Sequence, residues 1–248
     1  MSKKNKTLLV LPREFVDMSH DGKYKKYEGM PKLSYSQITS WLSSEYRRSY
    51  IKSYMIGLRD EGSIFTTFGS AVGTFIESIG TNNNEPHKPY FFNISDNDRA
   101  IIKDNIDFPE HSVYEDYVVL NLDDRFVIEG YADRIIYNDK ELIVEDFKTG
   151  SIAKKANFYA DPNEYKQTAL YSYIKEVEGY TVKEARVKLL DRKGNGSQKH
   201  PLKLTGAVET IPTEYNPEKV QKWLQEVVIP CAEEISDFFG TFQKLIKC

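Results

Sequence analysis

Between Val113 and Thr149 the chain reads as three β-rich runs, Val113 to Leu122, Phe126 to Tyr137 and Leu142 to Thr149, broken only by Asp123-Asp124 and Asn138-Asp139-Lys140. Turns this short leave no length for a crossover, so consecutive strands must pair antiparallel as a meander. Helical periodicity surrounds this stretch. Upstream, Ile38, Trp41, Leu42 and Tyr46 recur at three- and four-residue spacing behind Ser36, a candidate N-cap. A second helix is predicted after Thr66-Thr67, through Phe68, Val72, Phe75 and Ile76, with Gly69 and Gly73 on one face where they permit close backbone approach. Gly80 to Pro89 reads as a loop, and Ser95 with Asp98 as the capping pair of a short helix.

Downstream, Asp161-Pro162 opens a helix that runs to about Glu178 and stops at Gly179. A strand over Ala185 to Asp191, a loop over 192–201, a strand near Ala207 to Ile211 and a long amphipathic helix after Asn216-Pro217 complete the pattern. The expectation is an α/β chain with an irregular N-terminal arm over residues 1–32 and one folded domain over 33–248. A mean hydropathy of -0.54 and no long apolar run argue against a membrane span. Two cysteines, Cys231 and Cys248, are too few for a disulfide framework, a four-thiolate zinc site or an iron-sulfur cluster, and a reducing compartment is expected.

The net charge of -3 hides an uneven distribution. Residues 101–150 hold thirteen acidic against five basic residues, and residues 151–200 hold ten basic against six acidic ones. That boundary is compatible with a metal site beside a phosphate-binding surface, although charge blocks alone are more often a solvated face.

Chemistry enters with Glu145-Asp146-Phe147-Lys148-Thr149-Gly150. Side chains two apart on a strand share a face, so Asp146 and Lys148 point together while Glu145 and Phe147 point the other way. Asp133, in Gly130-Tyr131-Ala132-Asp133-Arg134 of the preceding strand, can meet Asp146 across a tight hairpin. Two carboxylates there suit one hard cation that keeps its waters, with Lys148 orienting or deprotonating a water. Glu145 is read as a solvent-facing or supporting carboxylate. Gln167 and Tyr171, four apart on a helix, share a face.

Taken in order, Gly130 to Asp133, Asp146 to Gly150 and Gln167 to Tyr171 resemble the G-x-x-D, D-x-K-T-G and Q-x-x-x-Y pattern of the PD-(D/E)XK nucleases, specifically their RecB-like exonuclease branch. Leu33 to Ile38 with Trp41, and Phe68 to Val72 with Glu77, look like that family's N-terminal helices, so the resemblance covers roughly residues 33–245. It implies a restriction-endonuclease-like core, a mixed central sheet flanked by helices with an N-terminal helical wall. It implies Asp133, Asp146 and the Phe147 carbonyl as ligands of Mg2+ or Mn2+, Lys148 as the catalytic lysine, and Gln167 and Tyr171 at the DNA strand. Gly73 stands where the family commonly has a histidine, which makes Glu77 a candidate replacement ligand; the cluster cysteines of some relatives are missing. Lys154, Lys155, Arg47 and Arg48 are candidate DNA-backbone contacts, the plainer alternative for each being a solvated side chain.

The reading is a metal-dependent DNA exonuclease of recombination, replication or repair, in the cytoplasm of a bacterium or a phage-infected host. DNA and a recombination or replication protein are the expected partners, with no membrane. A structure-selective or nonspecific endonuclease with the same site is one alternative, and a DNA- or partner-binding protein with a residual or partner-activated site is the other.

Overall fold

The computed structural model describes residues 27, 30–43, 47–51, 54, 63–81, 94–160 and 166–246. Most of the expected arm, most of the Gly80 to Pro89 loop, Tyr46 and the Asp161-Pro162 helix start lie outside the described residues. In chain order the elements are β1 (Lys32–Ser34), α1 (Tyr35–Ser43), α2 (Arg48–Tyr50), α3 (Ile64–Gly80), α4 (Asp96–Asn105), β2 (Ser112–Leu122), β3 (Phe126–Asn138) and β4 (Glu141–Gly150). They continue as α5 (Ile152–Ala160), α6 (Gln167–Val177), β5 (Thr181–Lys193), β6 (Lys203–Thr213), α7 (Pro217–Trp223), a π-helical segment (Leu224–Val228) and α8 (Ile229–Ile246).

The strands make one mixed sheet in the order β1-β3-β4-β5-β6, with β2 paired to β3. β3 and β4 are antiparallel, as the short Asn138-Asp139-Lys140 connection requires, whereas β4 and β5 are parallel and joined through α5 and α6. This is the mixed α/β architecture expected from the sequence. The three meander strands agree with expectation to within a residue at each end, while β5 starts four residues earlier than its apolar core suggests. Two elements depart from expectation: Lys32–Ser34 form β1 where the sequence suggests the end of an irregular arm and the start of a helix, and residues 152–160 form α5 where it suggests a loop, so Lys154 and Lys155 stand on a helix.

Contacts divide the described residues into two compact units, one within Met1–Asp60, Val119–Gly130 and Gln221–Cys248, the other within Glu61–Val118 and Tyr131–Val220. In the first, β1 lies parallel to β3. α1 is capped by Ser34 and not by Ser36: the Gln37 amide donates to Ser34 Oγ (3.2 Å) and the Ser34 amide donates to Gln37 Oε1 (2.7 Å), a reciprocal box. Trp41 packs edge-on against Tyr50 and Phe238, and its indole N–H donates to Glu234.

In the second unit β5 separates two apolar clusters. Leu190 joins Phe68, Val72 and Ile76 of α3 and Ile102 of α4, while Val187 and Leu189 pack with Tyr159 of α5 and Ile211 of β6. α3 begins at the cap Ser63, which accepts from the Thr66 amide, three residues before the expected start. Ser95 and Asp98 form the expected capping box of α4. α6 ends as predicted, with Gly179 in the left-handed region at φ 97° just past Glu178.

The face of β4 that carries Glu145 and Phe147 is tied down by charge. Glu145 is fully buried, not solvent-facing; it accepts from Arg134, itself fully buried, and from Arg186 Nε at 2.6 Å. Arg134 also donates to the Asp107 carbonyl (2.5 Å), and Asp107 pairs with Lys188. Removing one partner of such a pair leaves an uncompensated interior charge, so Glu145→Ala is expected to lower the unfolding free energy by about 3–5 kcal/mol, measured by urea denaturation.

Candidate active site

Arg134 and Glu145 face each other across the β3–β4 ladder. The alternation of side chains places their neighbours Asp133 and Asp146 together on the opposite face. Asp133 Oδ2 accepts the backbone N–H of Phe147 at 2.8 Å, which fixes its carboxylate against β4. Lys148 Nζ lies 2.5 Å from Asp146 Oδ2. Asp146 is buried and the lysine about one-third exposed, so the ion pair opens on one side only.

That side is a cavity of about 590 Å³, within the roughly 300–1,000 Å³ common for ligand sites. Asp133, Lys148 and Glu115 line it from the sheet, Glu77 and Gly73 from α3, and Lys155 from α5. The two glycines of α3 do different things. A Cβ at Gly69 would come within 3.1 Å of Thr149 Oγ1, so that glycine sets how closely α3 lies on β4, whereas a Cβ at Gly73 would meet nothing within 4 Å.

Electrostatics single out Asp133. Burial, then the adjacent Asp146 charge, push its carboxyl up to about 7, against the pull of Lys148 and the Phe147 N–H. Burial alone would lower the Lys148 ammonium, but Asp146 and Asp133 more than offset it and hold the lysine charged. Gln167 Nε2 donates to the Tyr171 hydroxyl at 3.4 Å at the start of α6, and that phenol is raised by burial and, further, by Asp133 and Asp146. Five expected site residues, Asp133, Asp146, Lys148, Gln167 and Tyr171, are thus brought together electrostatically, with Tyr171 buried.

Other expected residues are placed differently. Glu77 lines the cavity, yet among the described residues no group of three or more His, Cys, Asp or Glu side chains is arranged to hold a metal ion. Lys155 lines the cavity while Lys154, exposed on α5, does not. Arg47, in the first unit, pairs with Glu234 and covers the Trp41 ring at 4.9 Å; Arg48 is exposed in that unit. Sequence reasoning passes over Glu115, whose backbone takes the left-handed region (φ 48°) inside β2, uncommon for a residue with a side chain. The Tyr159 ring packs in the α5 cluster, and its hydroxyl feels the charges of Lys148 and Asp146.

The model of the PD-(D/E)XK nuclease superfamily matches residues 91–243, more than half of the chain, and the chain belongs to that superfamily. Its metal-dependent nuclease chemistry and DNA substrate class come with that membership. No curated protein matches the chain. Among solved structures, one titled "Crystal structure of SSO0001" is similar at a TM-score of 0.41 and 12% identity, covering 80% of this chain and 75% of that one. Among the described residues no helix is long and apolar enough to cross a membrane.

A divalent ion suits the donor set: two neighbouring carboxylates, one of which resists ionising because it is buried and because the other is charged, with space for further oxygen ligands. Without metal, the folded chain holds the Asp133 proton from the ordinary carboxylate range up to about 7 and the unfolded chain does not. Stability contributed by that proton is present at low pH and lost as pH rises through this window. Metal-free protein should therefore lose melting temperature between about pH 4 and about pH 7. Asp133→Asn should remove most of that slope and melt a few degrees higher at the upper end, read by scanning calorimetry.

Proposed function

We propose that this chain is a metal-dependent DNA exonuclease of the RecB-like branch that hydrolyses phosphodiester bonds, in bacterial or phage recombination, replication or repair. The observation that carries the reading is the convergence of Asp133 and Lys148 on one cavity, with buried Asp146 paired to Lys148 and the Phe147 N–H locking Asp133 in place. Asp133, Asp146 and the Phe147 carbonyl are the groups that would hold Mg2+ or Mn2+. The bound ion supplies a nucleophilic water at neutral pH and stabilises charge developing on the phosphate oxygens.

The chain's own residues do the rest. Burial around Asp146 excludes bulk water from one side of the phosphate, and Lys148, kept as an ammonium, donates from Nζ to orient the attacking water and to balance phosphate charge. Gln167 and Tyr171 position the strand through the amide and the hydroxyl end of their hydrogen-bonded pair. Lys155 adds a cation on the α5 wall. Glu77, the one carboxylate of α3, lines the cavity with Gly73 and is the candidate replacement ligand.

One observation favours a second reading. With no third ligating side chain grouped with the carboxylate pair among the described residues, a DNA- or partner-binding protein with a residual or partner-activated site is the alternative. Digestion of linear single-stranded, linear duplex and circular DNA with Mg2+ or Mn2+ separates the cases. Metal-dependent loss of linear DNA only, reduced at least a hundredfold in Lys148→Ala, is the expected result. Cutting of circles replaces the exonuclease by an endonuclease, and inert pure protein leaves the binding reading.

A further inference from the structure

Arg192, near the end of β5, lines the same cavity as Asp133 and Lys148. Its guanidinium sits 4.3 Å from the centroid of the Phe65 ring on α3. Its Nε is buried without a hydrogen-bond partner, and none of the ion pairs among the described residues includes it. The other arginines on the strands of this unit are engaged: Arg134 with Glu145 and Asp107, Arg186 with Glu145 and Glu184. Burial pulls the Arg192 pKa down, and only Tyr159 opposes that pull. A cation stacked on an aromatic ring, turned into a cavity and given no carboxylate is arranged to receive an anion from outside.

Its neighbours narrow the anion. Lys155 lines the same cavity and adds positive charge, while the Lys148 ammonium is already taken by Asp146. The Tyr159 hydroxyl feels the charge of Arg192 as well as those of Lys148 and Asp146. The planar fork of a guanidinium matches two oxygens of a phosphate.

We propose that Arg192 forms a phosphate subsite in this cavity, which takes a phosphodiester of the nucleic-acid strand neighbouring the one cut beside Asp133 and Asp146. Arg192 grips it, Phe65 supports the guanidinium from behind, and Lys155 adds charge. The proposal deepens the nuclease reading and rests on it.

The test is binding without cleavage. Fluorescent single-stranded oligonucleotides, one fully phosphodiester and others carrying a single uncharged methylphosphonate at successive linkages, are titrated in EDTA against wild type, Arg192→Met and Arg192→Lys. Methionine keeps an apolar stem on Phe65, and thermal melting checks that each variant folds. The expected result is one linkage whose neutralisation weakens wild-type binding about tenfold and leaves Arg192→Met unchanged, with Arg192→Lys in between. The salt slope of Arg192→Met should fall by about 0.7. Equal losses in wild type and Arg192→Met at every linkage overturn the subsite, as does absence of strand binding by wild type. Cleavage assays fail separately: a protein that cuts DNA yet shows no coupling loses only the subsite, and one that shows coupling yet never cuts loses only the nuclease reading.

Discussion

Two carboxylates side by side in a protein interior repel each other and resist losing their hydration, and the second unit is organised around making Asp133 and Asp146 tolerate that. Asp133 keeps its proton up to about 7, Lys148 answers Asp146, and the Phe147 N–H answers Asp133. On the reverse face, Arg134, Glu145 and Arg186 form a charge chain across β3, β4 and β5. Neighbouring rungs of one ladder therefore carry a matched pair on one face and a mismatched pair on the other. The matched side holds the strands in register, and the mismatched side stores the electrostatic demand that a cation answers.

The apolar layers serve the same end. β5 is sandwiched, with Leu190 toward α3 and α4 and Leu189 toward α5, so both walls of the cavity are referenced to one strand. Phe147 closes the arrangement from beneath, its ring under the Arg134 guanidinium at 5.1 Å.

Much of this is legible from the chain alone because it depends on local rules. Two-residue periodicity with short polar turns specifies the meander, and strand alternation puts Asp146 and Lys148 on one face and Glu145 on the other. What escapes depends on partners distant in sequence. Glu145 reads only as a solvent-facing or supporting carboxylate because its partners Arg134 and Arg186 lie 11 and 41 residues away. α5 escapes because its nine residues include two lysines and an asparagine, and what docks it is Tyr159 packing on Val187 and Leu189. Glu115 leaves no signal, since nothing in Tyr-Glu-Asp-Tyr announces a left-handed residue inside a strand. The cap of α1 lies two residues from its expected place because Ser34 and Ser36 are equally good acceptors, and Gln37 decides between them.

Gly69 and Gly73 look interchangeable in the sequence, one turn apart on one helix face, yet they are opposites in what they permit. The first is spoken for by Thr149, so inherited change there is filtered through the docking of α3 on β4; the second borders open space, so change there meets no steric filter. A side chain placed at position 73 therefore enters open space without moving α3, while one placed at position 69 presses on the Thr149 hydroxyl.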